Sequence, residues 1–380
     1  MDTQRAGRGN AFLVLAAGMC LALCLCMGQA WAADSGVPRL NMSYVFTTHH
    51  TPLMVAAMKG DAFKASGAYL KEMVPREKYE LMGKDGKPLA VITLIVSKSG
   101  SETATMFAMG QLDLGLASST AFMSGIDKGT KMKMLCPLHV DGMSMVFPPD
   151  STVNGWADVE KQIKAAGRPF KVGYHSPTSS PRVVFEGALF KSGYKITENA
   201  NDPDADILLV DLKSTSNLIP ALVSKQVDCW VGPEPHPSVA EFKHVGHIGL
   251  DSRDLPPAGE WQDFPCCAMG ASERLIATHP EIVQAMTDLM TNVGAWCNKN
   301  MVETAALSAD WIGVPAAAVE KSTIVYTTTP SANWLKGEDM FLAMLQRMGK
   351  FKGALATGNI EAAKPVLFDF SFVNKSLKKS

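Results

Sequence analysis

From about residue 40 onward, the sequence alternates between short apolar runs and longer segments with helical periodicity. LNMSYVF (40–46) has the length and composition of a strand, and PLMVAAMKGDAFKAS (52–66) predicts a helix with Pro52 in its first turn. The same switch recurs at LDLGLAS (112–118) and KVGYHS (171–176). Because parallel strands need long crossover connections, this alternation predicts an α/β fold in which largely parallel sheets are flanked by helices.

A repeated corner predicts two related lobes. AMGQLDLG (108–115) and LVSKQVDCWVG (222–232) each contain the end of a helix, then Gln-apolar-Asp, then a strand. The same helix-to-strand corner would then be used twice, once in each domain.

The amino terminus has the pattern of an export signal. Arg5 and Arg8 precede an apolar run over residues 11–27, and Ala30-Trp31-Ala32 follows it as a small-x-small exit. This pattern predicts a secretory signal peptide over residues 1–32 and a periplasmic mature chain. The apolar run also reaches the ~18 residues needed to span a bilayer, so an uncleaved anchor stays an alternative.

The length and net charge of the chain limit the functions that it can have. The chain has 380 residues, with 36 Lys and Arg against 37 Asp and Glu and a formal net charge of −1. Removal of the signal peptide leaves a length that suits two α/β domains. A near-neutral balance without a basic stripe argues against nucleic acid and against an anionic membrane surface as partners.

An odd number of cysteines follows the signal peptide, and they are Cys136, Cys229, Cys266, Cys267 and Cys297. In an oxidising compartment, an odd number leaves at least one thiol unpaired. Cys136 and Cys297 lie in apolar patterns, which predict that they are small buried hydrophobic residues.

Four loops that follow predicted strands carry hydroxyls, imidazoles and one carboxylate. In open parallel sheets, ligands bind beyond the carboxyl ends of the strands. The candidate ligand-binding residues in these loops are His49, His50, Thr51, Ser118, Ser119, Thr120, Ser176, Thr178, Ser179, Ser180 and Glu234. Two of the loops run into helix amino termini, which favour an oxyanion, although N-capping alone also explains serine and threonine there.

Several segments, in this order and spacing, resemble one family. HHTPLMVAAMKGDAFKASG (49–67), FAMGQLDLGLASSTA (107–121) and LIPALVSKQVDCWVGPEPHPSVAEF (218–242) resemble elements of periplasmic substrate-binding proteins of nitrate/sulfonate/taurine-type (NitT/TauT) ABC transporters. The resemblance covers roughly residues 40 to 330. Two segments depart from the family pattern: the cysteine-rich DFPCCAMG, and a long YELMGKDGKPLAVITLIVS, in which Asp-Gly predicts a β-hairpin.

The resemblance implies a two-lobed class II periplasmic-binding-protein fold, with each lobe a largely parallel sheet flanked by helices. Lobe 1 is expected from residues 38–145 plus 245–330, lobe 2 from 146–240, and a mostly helical C-terminal extension from 331–380. The implied function is the extracytoplasmic solute-binding component of an ABC importer, working as a monomer with an inner-membrane permease and its ATPase. It implies no enzymatic activity and no cofactor. The solute would be a small anionic or polar organic molecule: a sulfonate, nitrate or bicarbonate, or a taurine-like or pyrimidine-like compound.

Two roles for Glu234 stay open. In the resembled element, Glu-Pro lies at the cleft and hinge, where the carboxylate of Glu234 can hold a ligand cation or amine. It can equally pair with a backbone N–H or a lysine.

A metal-binding periplasmic protein is the alternative function. Its ligands would come from His49, His50, His236, Glu234 and Cys266 or Cys267. Adjacent His-His and Cys-Cys pairs are poor chelating spacings, however, because neighbours on an extended segment point apart.

An enzyme resembling the thiamine-pyrimidine synthase of the same fold family is the third reading. It would use Cys229 as nucleophile with His236 or His175 as base. The sequence contains no Gly-x-Ser-x-Gly, P-loop or His-Glu-x-x-His motif that would support catalysis.

Overall fold

The apolar runs pair into two large sheets in the computed structural model, which describes residues 36–379. The predicted signal peptide therefore lies outside the described residues. The strands of the first sheet are β1 (Arg39–Val45), β2 (Ala68–Val74), β3 (Lys78–Gly83), β4 (Pro88–Ser97), β5 (Leu114–Ser118), β6 (Met132–Pro137) and β14 (Cys267–Ser272).

The first sheet has the order β2-β3-β4-β1-β5-β14-β6. β1 lies parallel between β4 and β5, whereas β14 runs antiparallel between β5 and β6. β3 and β4 form the hairpin that Asp-Gly predicts. Gly86 in its turn has φ 75°, a left-handed conformation that glycine adopts without steric cost.

The strands of the second sheet are β8 (Met143–Phe147), β9 (Phe170–Tyr174), β10 (Ile196–Thr197), β11 (Ile207–Asp211), β12 (Cys229–Pro233) and β13 (His247–Asp251). Their order is β10-β11-β9-β12-β8-β13, and the first four are mutually parallel. A separate antiparallel pair joins β7 (His139–Val140) to β15 (Val325–Tyr326).

The predicted lobe boundaries stay a prediction, but residues 143–145 and 247–251, which they assign to lobe 1, lie in β8 and β13 of the second sheet. β8 pairs with both β12 and β13, so all of it lies in the second sheet. The pairing partner of an antiparallel strand is a long-range property, and the local pattern of apolar residues does not contain it.

The helices are α1 (Thr51–Lys59), α2 (Gly100–Ala108), α3 (Ser119–Asp127), α4 (Trp156–Ala165), α5 (Ser180–Lys191), α6 (Leu218–Val223), α7 (His236–Phe242), α8 (Glu273–Thr278), α9 (Pro280–Lys299), α10 (Met301–Ile312), α11 (Ala316–Val319), α12 (Ala332–Arg347), α13 (Ile360–Leu367) and α14 (Ser371–Leu377). Of the helices formed by residues 36–379, none is both long and apolar enough to cross a membrane.

The three last helices are built into the main hydrophobic core. Trp334 and Phe341 of α12 are fully buried, and their rings contact Phe368 and Phe264 at centroid distances of 5.7 and 5.1 Å. The carboxylate of Asp127, at the end of α3, accepts hydrogen bonds from three backbone N–H groups within residues 352–355. Residues 331–379 are therefore held by both apolar burial and polar contacts.

Candidate functional site

Six parallel strands from the two sheets end at one cavity of about 40 Å³. The carboxyl ends of β1, β4 and β5 face it from the first sheet, and those of β9, β11 and β12 from the second. The side chains and backbone that line it are Val45, Thr47, His49, His50, Ser99, Gly100, Ala117, Ser118, His175, Ser179, Ser180, Pro181, Thr215, Pro233, Cys266 and Cys267. This is the position at which open α/β sheets bind ligands.

The structure brings residues from all four predicted loops into this region. Those that line the cavity are His49, His50, Ser118, Ser179 and Ser180. The predicted residues that are not among its described lining are Thr51, Ser119, Thr120, Ser176, Thr178 and Glu234.

Several hydroxyls of these loops, including Ser118 of the cavity wall, form a seam between the two sheets. The carbonyl of Thr178 accepts hydrogen bonds from Ser118 Oγ at 3.2 Å and Thr120 Oγ1 at 2.7 Å. Ser101 Oγ is hydrogen-bonded to Ser176 Oγ and Thr178 Oγ1 at 2.5 and 2.7 Å. These contacts join loops of the first sheet to the loop after β9, so the two sheets are closed on each other.

The carbonyl of Cys266 is a second joint of this seam. It accepts hydrogen bonds from the N–H of Ser119 at 2.8 Å and from Ser180 Oγ at 3.1 Å. Cys266 and Ser119 belong to the first-sheet side, whereas Ser180 begins α5 on the second. One carbonyl therefore holds both helix starts beside the cavity.

Three helix amino termini point at the cavity through their N-cap residues. Ser99 caps α2 by accepting from the N–H of Glu102 at 3.4 Å. Within the described chain, Ser118 and Ser179 make no side-chain bond to α3 and α5, although they occupy the N-cap positions. Capping therefore does not explain these two serines, and the positive ends of the helix dipoles favour an anion.

The imidazoles of the cavity are neutral. Burial lowers the pKa of His49, lowers that of His50 further, and lowers that of His175 to about 3; neighbouring imidazoles contribute in each case. His50 Nδ1 accepts from the N–H of Val45 at 2.9 Å, so the ring proton is on Nε2. This Nε2–H has no hydrogen-bond partner in the described part of the chain. Within residues 36–379, no lysine or arginine lines the cavity.

Glu234 is turned toward its own helix. Its carboxylate accepts hydrogen bonds from Ser238 Oγ at 2.9 Å and from the N–H of Ser238 at 3.4 Å, at the start of α7. Its backbone carbonyl accepts from Thr47 Oγ1, and its N–H donates to the carbonyl of Gly142 at 3.0 Å. Burial raises the pKa of Glu234 to about 7. Of the two predicted roles, this arrangement corresponds to pairing with a backbone N–H.

Cys229 has the surroundings of a core residue. It is fully buried on β12, and burial raises the pKa of its thiol well above the usual range. A nucleophilic cysteine needs an accessible thiolate, so these surroundings do not favour the Cys229-based catalysis considered from the sequence.

Sequence reasoning missed Ser99 and Thr215 as cavity residues. Ser99 follows β4 and Thr215 follows β11, and both strands are parallel members of their sheets. The rule that singled out the other loops, a hydroxyl beyond the carboxyl end of a parallel strand, therefore contained the signal for these two as well.

The structure overturns one expectation about chelation. The adjacent Cys266 and Cys267 do not point apart: their Sγ atoms are 3.8 Å from each other. With His49 and His139 they form a group whose donor atoms all lie within 4.8 Å of one another.

Proteins of known structure share this fold at low sequence identity. The ligand-binding component of an ABC-type import system from Staphylococcus aureus, solved with zinc bound, has a TM-score of 0.68 and 12% identity, and the match covers 89% of this chain and 99% of that one. The periplasmic nitrate-binding protein NrtA from Synechocystis PCC 6803 has a TM-score of 0.66 and 14% identity, with coverage of 90% and 89%. The alkanesulfonate-binding protein SsuA from Xanthomonas axonopodis pv. citri has a TM-score of 0.61 and 15% identity, with coverage of 87% and 98%.

Sequence comparison identifies the family. An uncharacterized protein of Methanocaldococcus jannaschii is 33% identical over 136 residues, which are 35% of this chain and 93% of that protein. The NMT1-like family matches residues 33–313, most of the chain. The predicted fold class and the resemblance to nitrate- and sulfonate-type substrate-binding proteins are confirmed. The chain belongs to the NMT1-like family and has the fold of the periplasmic binding proteins.

Proposed function

We propose that this protein is the extracytoplasmic solute-binding component of an ABC importer, and that it holds a small oxyanion in the cavity between the two sheets. One observation carries the proposal: six parallel strand ends and three helix amino termini, drawn from both sheets, converge on one cavity. Sites of this kind bind anions through backbone N–H groups and helix dipoles, without a cationic side chain.

The cavity's donors favour an acidic solute. The hydroxyls of Thr47, Ser118, Ser179 and Ser180 already donate to backbone carbonyls, which leaves those of Ser99 and Thr215 as hydroxyl donors among the described lining residues. The Nε2–H of His50 can also donate, and it has no partner between residues 36 and 379. A buried donor without a partner costs ~1–3 kcal/mol, which a bound acceptor recovers. An acceptor-only anion matches these donors better than an amine does.

The volume favours a small solute. A cavity of about 40 Å³ has room for roughly three water molecules at ~10–15 Å³ each. An ion of the size of nitrate or bicarbonate fits that space while the seam stays closed. A sulfonate, taurine-like or pyrimidine-like solute needs the seam at Thr178 and Cys266 to open wider.

Transport follows from closure of the two sheets around the solute. We place the protein in the periplasm, as a monomer that delivers its solute to a membrane permease driven by an ATPase. A solute that contacts loops of both sheets binds the closed state more tightly and so shifts the population toward it. The nitrate-binding and alkanesulfonate-binding proteins of similar fold support this assignment by analogy.

A thermal-shift screen followed by calorimetry tests the proposal. The mature chain is mixed with nitrate, bicarbonate, alkanesulfonates, taurine, pyrimidines and simple amines, each without added metal. We expect an oxyanion to raise the unfolding temperature and to bind with 1:1 stoichiometry. If none of the oxyanions stabilises the protein while an amine does, the proposed solute class is wrong.

A substitution at His50 tests whether the anion binds in the cavity. His50→Asn places a carbonyl oxygen near the position of Nδ1, which can keep the bond from Val45, but it removes the donor at Nε2. Hydrogen bonds to charged groups contribute ~1.5–3 kcal/mol, so we expect the anion affinity to fall by about 10- to 100-fold. The control is His236→Asn, because the Nε2 of His236 is also buried without a partner among residues 36–379, but His236 is not among the lining residues of the cavity in that range. Equal affinities for the two variants would contradict the assignment.

A further inference from the structure

Four soft or borderline metal ligands from three segments of the chain meet beside the cavity. His49 comes from the 3-10 helix Thr48–His50 after β1, His139 from β7, Cys267 from the first position of β14, and Cys266 from the residue before it. Each is at most 5% exposed. One donor atom from each residue belongs to a group in which every pair lies within 4.8 Å.

The distances within this cluster correspond to a tetrahedral metal shell. Cys266 Sγ and Cys267 Sγ are 3.8 Å apart, and His49 Nδ1 lies 3.3 and 3.7 Å from them. A tetrahedral ion with metal–sulfur bonds of ~2.3 Å and metal–nitrogen bonds of ~2.0 Å requires sulfur–sulfur edges of about 3.8 Å and nitrogen–sulfur edges of about 3.5 Å. The three donors therefore already have the spacing of such a shell.

In each of the two imidazoles, the ring nitrogen that would not bind the ion lies near a backbone carbonyl, as in known metal sites. His49 Nε2–H donates to the carbonyl of Gly142 at 2.9 Å, so the lone pair of Nδ1 faces the two sulfurs. His139 Nδ1 lies 3.3 Å from the carbonyl of Val140. Metal-binding histidines usually donate their second N–H to a carbonyl or carboxylate in this way, which fixes the tautomer and the ring orientation.

The other ring nitrogen of His139, Nε2, has an unmet need for a partner. Its Nε2 is buried and finds no hydrogen-bond partner anywhere between residues 36 and 379. The two rings are in contact, with centroids 4.1 Å apart and planes at 61°. A buried acceptor without a partner costs ~1–3 kcal/mol, and an ion held by the other three residues would satisfy it.

We propose that His49, His139, Cys266 and Cys267 form a tetrahedral site for a thiophilic divalent ion, with Zn²⁺ as the best match. Two thiolates and two neutral imidazoles around a divalent ion give a neutral centre, which suits full burial better than a monovalent copper centre would. Four protein ligands complete the shell, so the ion is resident. The site uses other donor atoms than the proposed anion site and does not rest on the proposed function.

The ion has a route to the cluster through the cavity. His49, Cys266 and Cys267 are part of the cavity wall, whereas His139 is not among its lining residues in the described chain. Opening of the seam would expose three ligands to solvent and leave the fourth behind them. The metal should therefore exchange slowly while the two sheets are closed.

Titration of the purified, reduced chain without a histidine tag tests the proposal. The chain is stripped with a chelator, kept in a phosphine reductant and titrated with Zn²⁺ against a chromophoric chelator. We expect one ion per chain, without any added solute. Co²⁺ should give the intense visible bands of a tetrahedral ion together with a thiolate charge-transfer band. Absence of stoichiometric Zn²⁺ binding by the reduced chain, or a weak six-coordinate Co²⁺ spectrum, would overturn the assignment.

Substitution of two of the proposed ligands, with one cysteine substitution as a control, tests whether the ion binds at this cluster. Cys267→Ser and His139→Gln each remove one ligand, and we expect the Zn²⁺ affinity to fall by more than about 100-fold, since loss of outer hydrogen bonds alone costs 10- to 100-fold. The control is Cys136→Ser, which changes a buried free cysteine on β6, paired with Met269 of β14 in the same sheet. Unchanged affinity in both ligand variants, or an equal loss in the control, refutes the site. The Co²⁺ spectrum of the unmodified chain decides the question if the variants do not fold.

Discussion

The buried carboxyl of Glu234 predicts an unusual pH dependence of stability. Glu234 is 2% exposed, and its partners are the hydroxyl and the N–H of Ser238. Burial raises its pKa from 4.5 to about 7; the negative charges of Asp251 and Glu241 add to this, and the two Ser238 donors oppose it. The carboxyl is therefore protonated in the folded protein at pH values where the unfolded chain has lost that proton.

The sign and the size of the change in stability with pH follow from the linkage between proton binding and folding. Between pH 4.5 and about pH 7, the folded state binds one proton more than the unfolded state at this residue, so stability falls as the pH rises. Each pH unit in this window corresponds to about 1.4 kcal/mol, which gives a loss of about 3 kcal/mol over the whole interval. Glu234→Gln removes the ionisation while its amide oxygen can still accept from Ser238. We expect the variant to gain about 3 kcal/mol relative to the unmodified protein between pH 4.5 and pH 8.

Urea unfolding at pH 4.5, 6 and 8 measures this difference directly. Contributions of other titrating groups cancel when the two proteins are compared at each pH. The control is Glu361→Gln, because the Glu361 side chain is 68% exposed and lacks the burial on which the effect at Glu234 depends. If the free-energy difference between Glu234→Gln and the unmodified protein is the same at all three pH values, the carboxyl is not held in the folded protein as described.

Two further predictions concern packing and a buried ion pair, both measured by urea unfolding. Gly337→Ala in α12 should cost ~1–3 kcal/mol, because its Cβ would lie 2.1 Å from Pro265 Cδ, and this clash outweighs the ~1 kcal/mol by which alanine favours a helix. Gly125→Ala in α3, whose Cβ would meet its nearest neighbour at 3.4 Å, should instead stabilise by ~0.5–1 kcal/mol; the same sign for both would contradict the steric argument. Arg182→Met should cost ~3–5 kcal/mol, because it leaves the largely buried carboxylate of Glu186 without its partner at 2.9 Å; a loss below ~1 kcal/mol would show that the pair is not needed.

Much of the candidate site could be predicted from local patterns. A strand, then a polar loop, then a helix start is a local signal, and the rule for parallel sheets converts it into a position at the sheet edge. This rule selected His49, His50, Ser118, Ser179 and Ser180, which line the cavity; that they bind a ligand stays a prediction. The sequence did not reveal which hydroxyls line the cavity and which form the seam, because that depends on the side-chain direction after closure.

The cluster around Cys266 shows the limit of local reasoning. Neighbouring residues on an ideal strand point to opposite faces, so Cys266-Cys267 looks unfit to chelate. In the structure, however, β14 begins at Cys267, and Cys266 lies in the segment before it. The alternation does not apply there, and both sulfurs approach His49. His139 reaches the same place from β7, a strand of two residues whose partner, β15, is far along the chain.

The sequence by itself determined the α/β class, the hairpin at Asp85-Gly86 and the polar loops beyond the parallel strands, because periodicity and turn chemistry are properties of neighbouring residues. Only the tertiary structure decided that β8 and β13 join the second sheet, that Glu234 turns toward Ser238, and that two cysteines and two histidines share one buried space. Strand pairing and side-chain convergence depend on contacts between residues distant in the chain, and no local pattern encodes those distances.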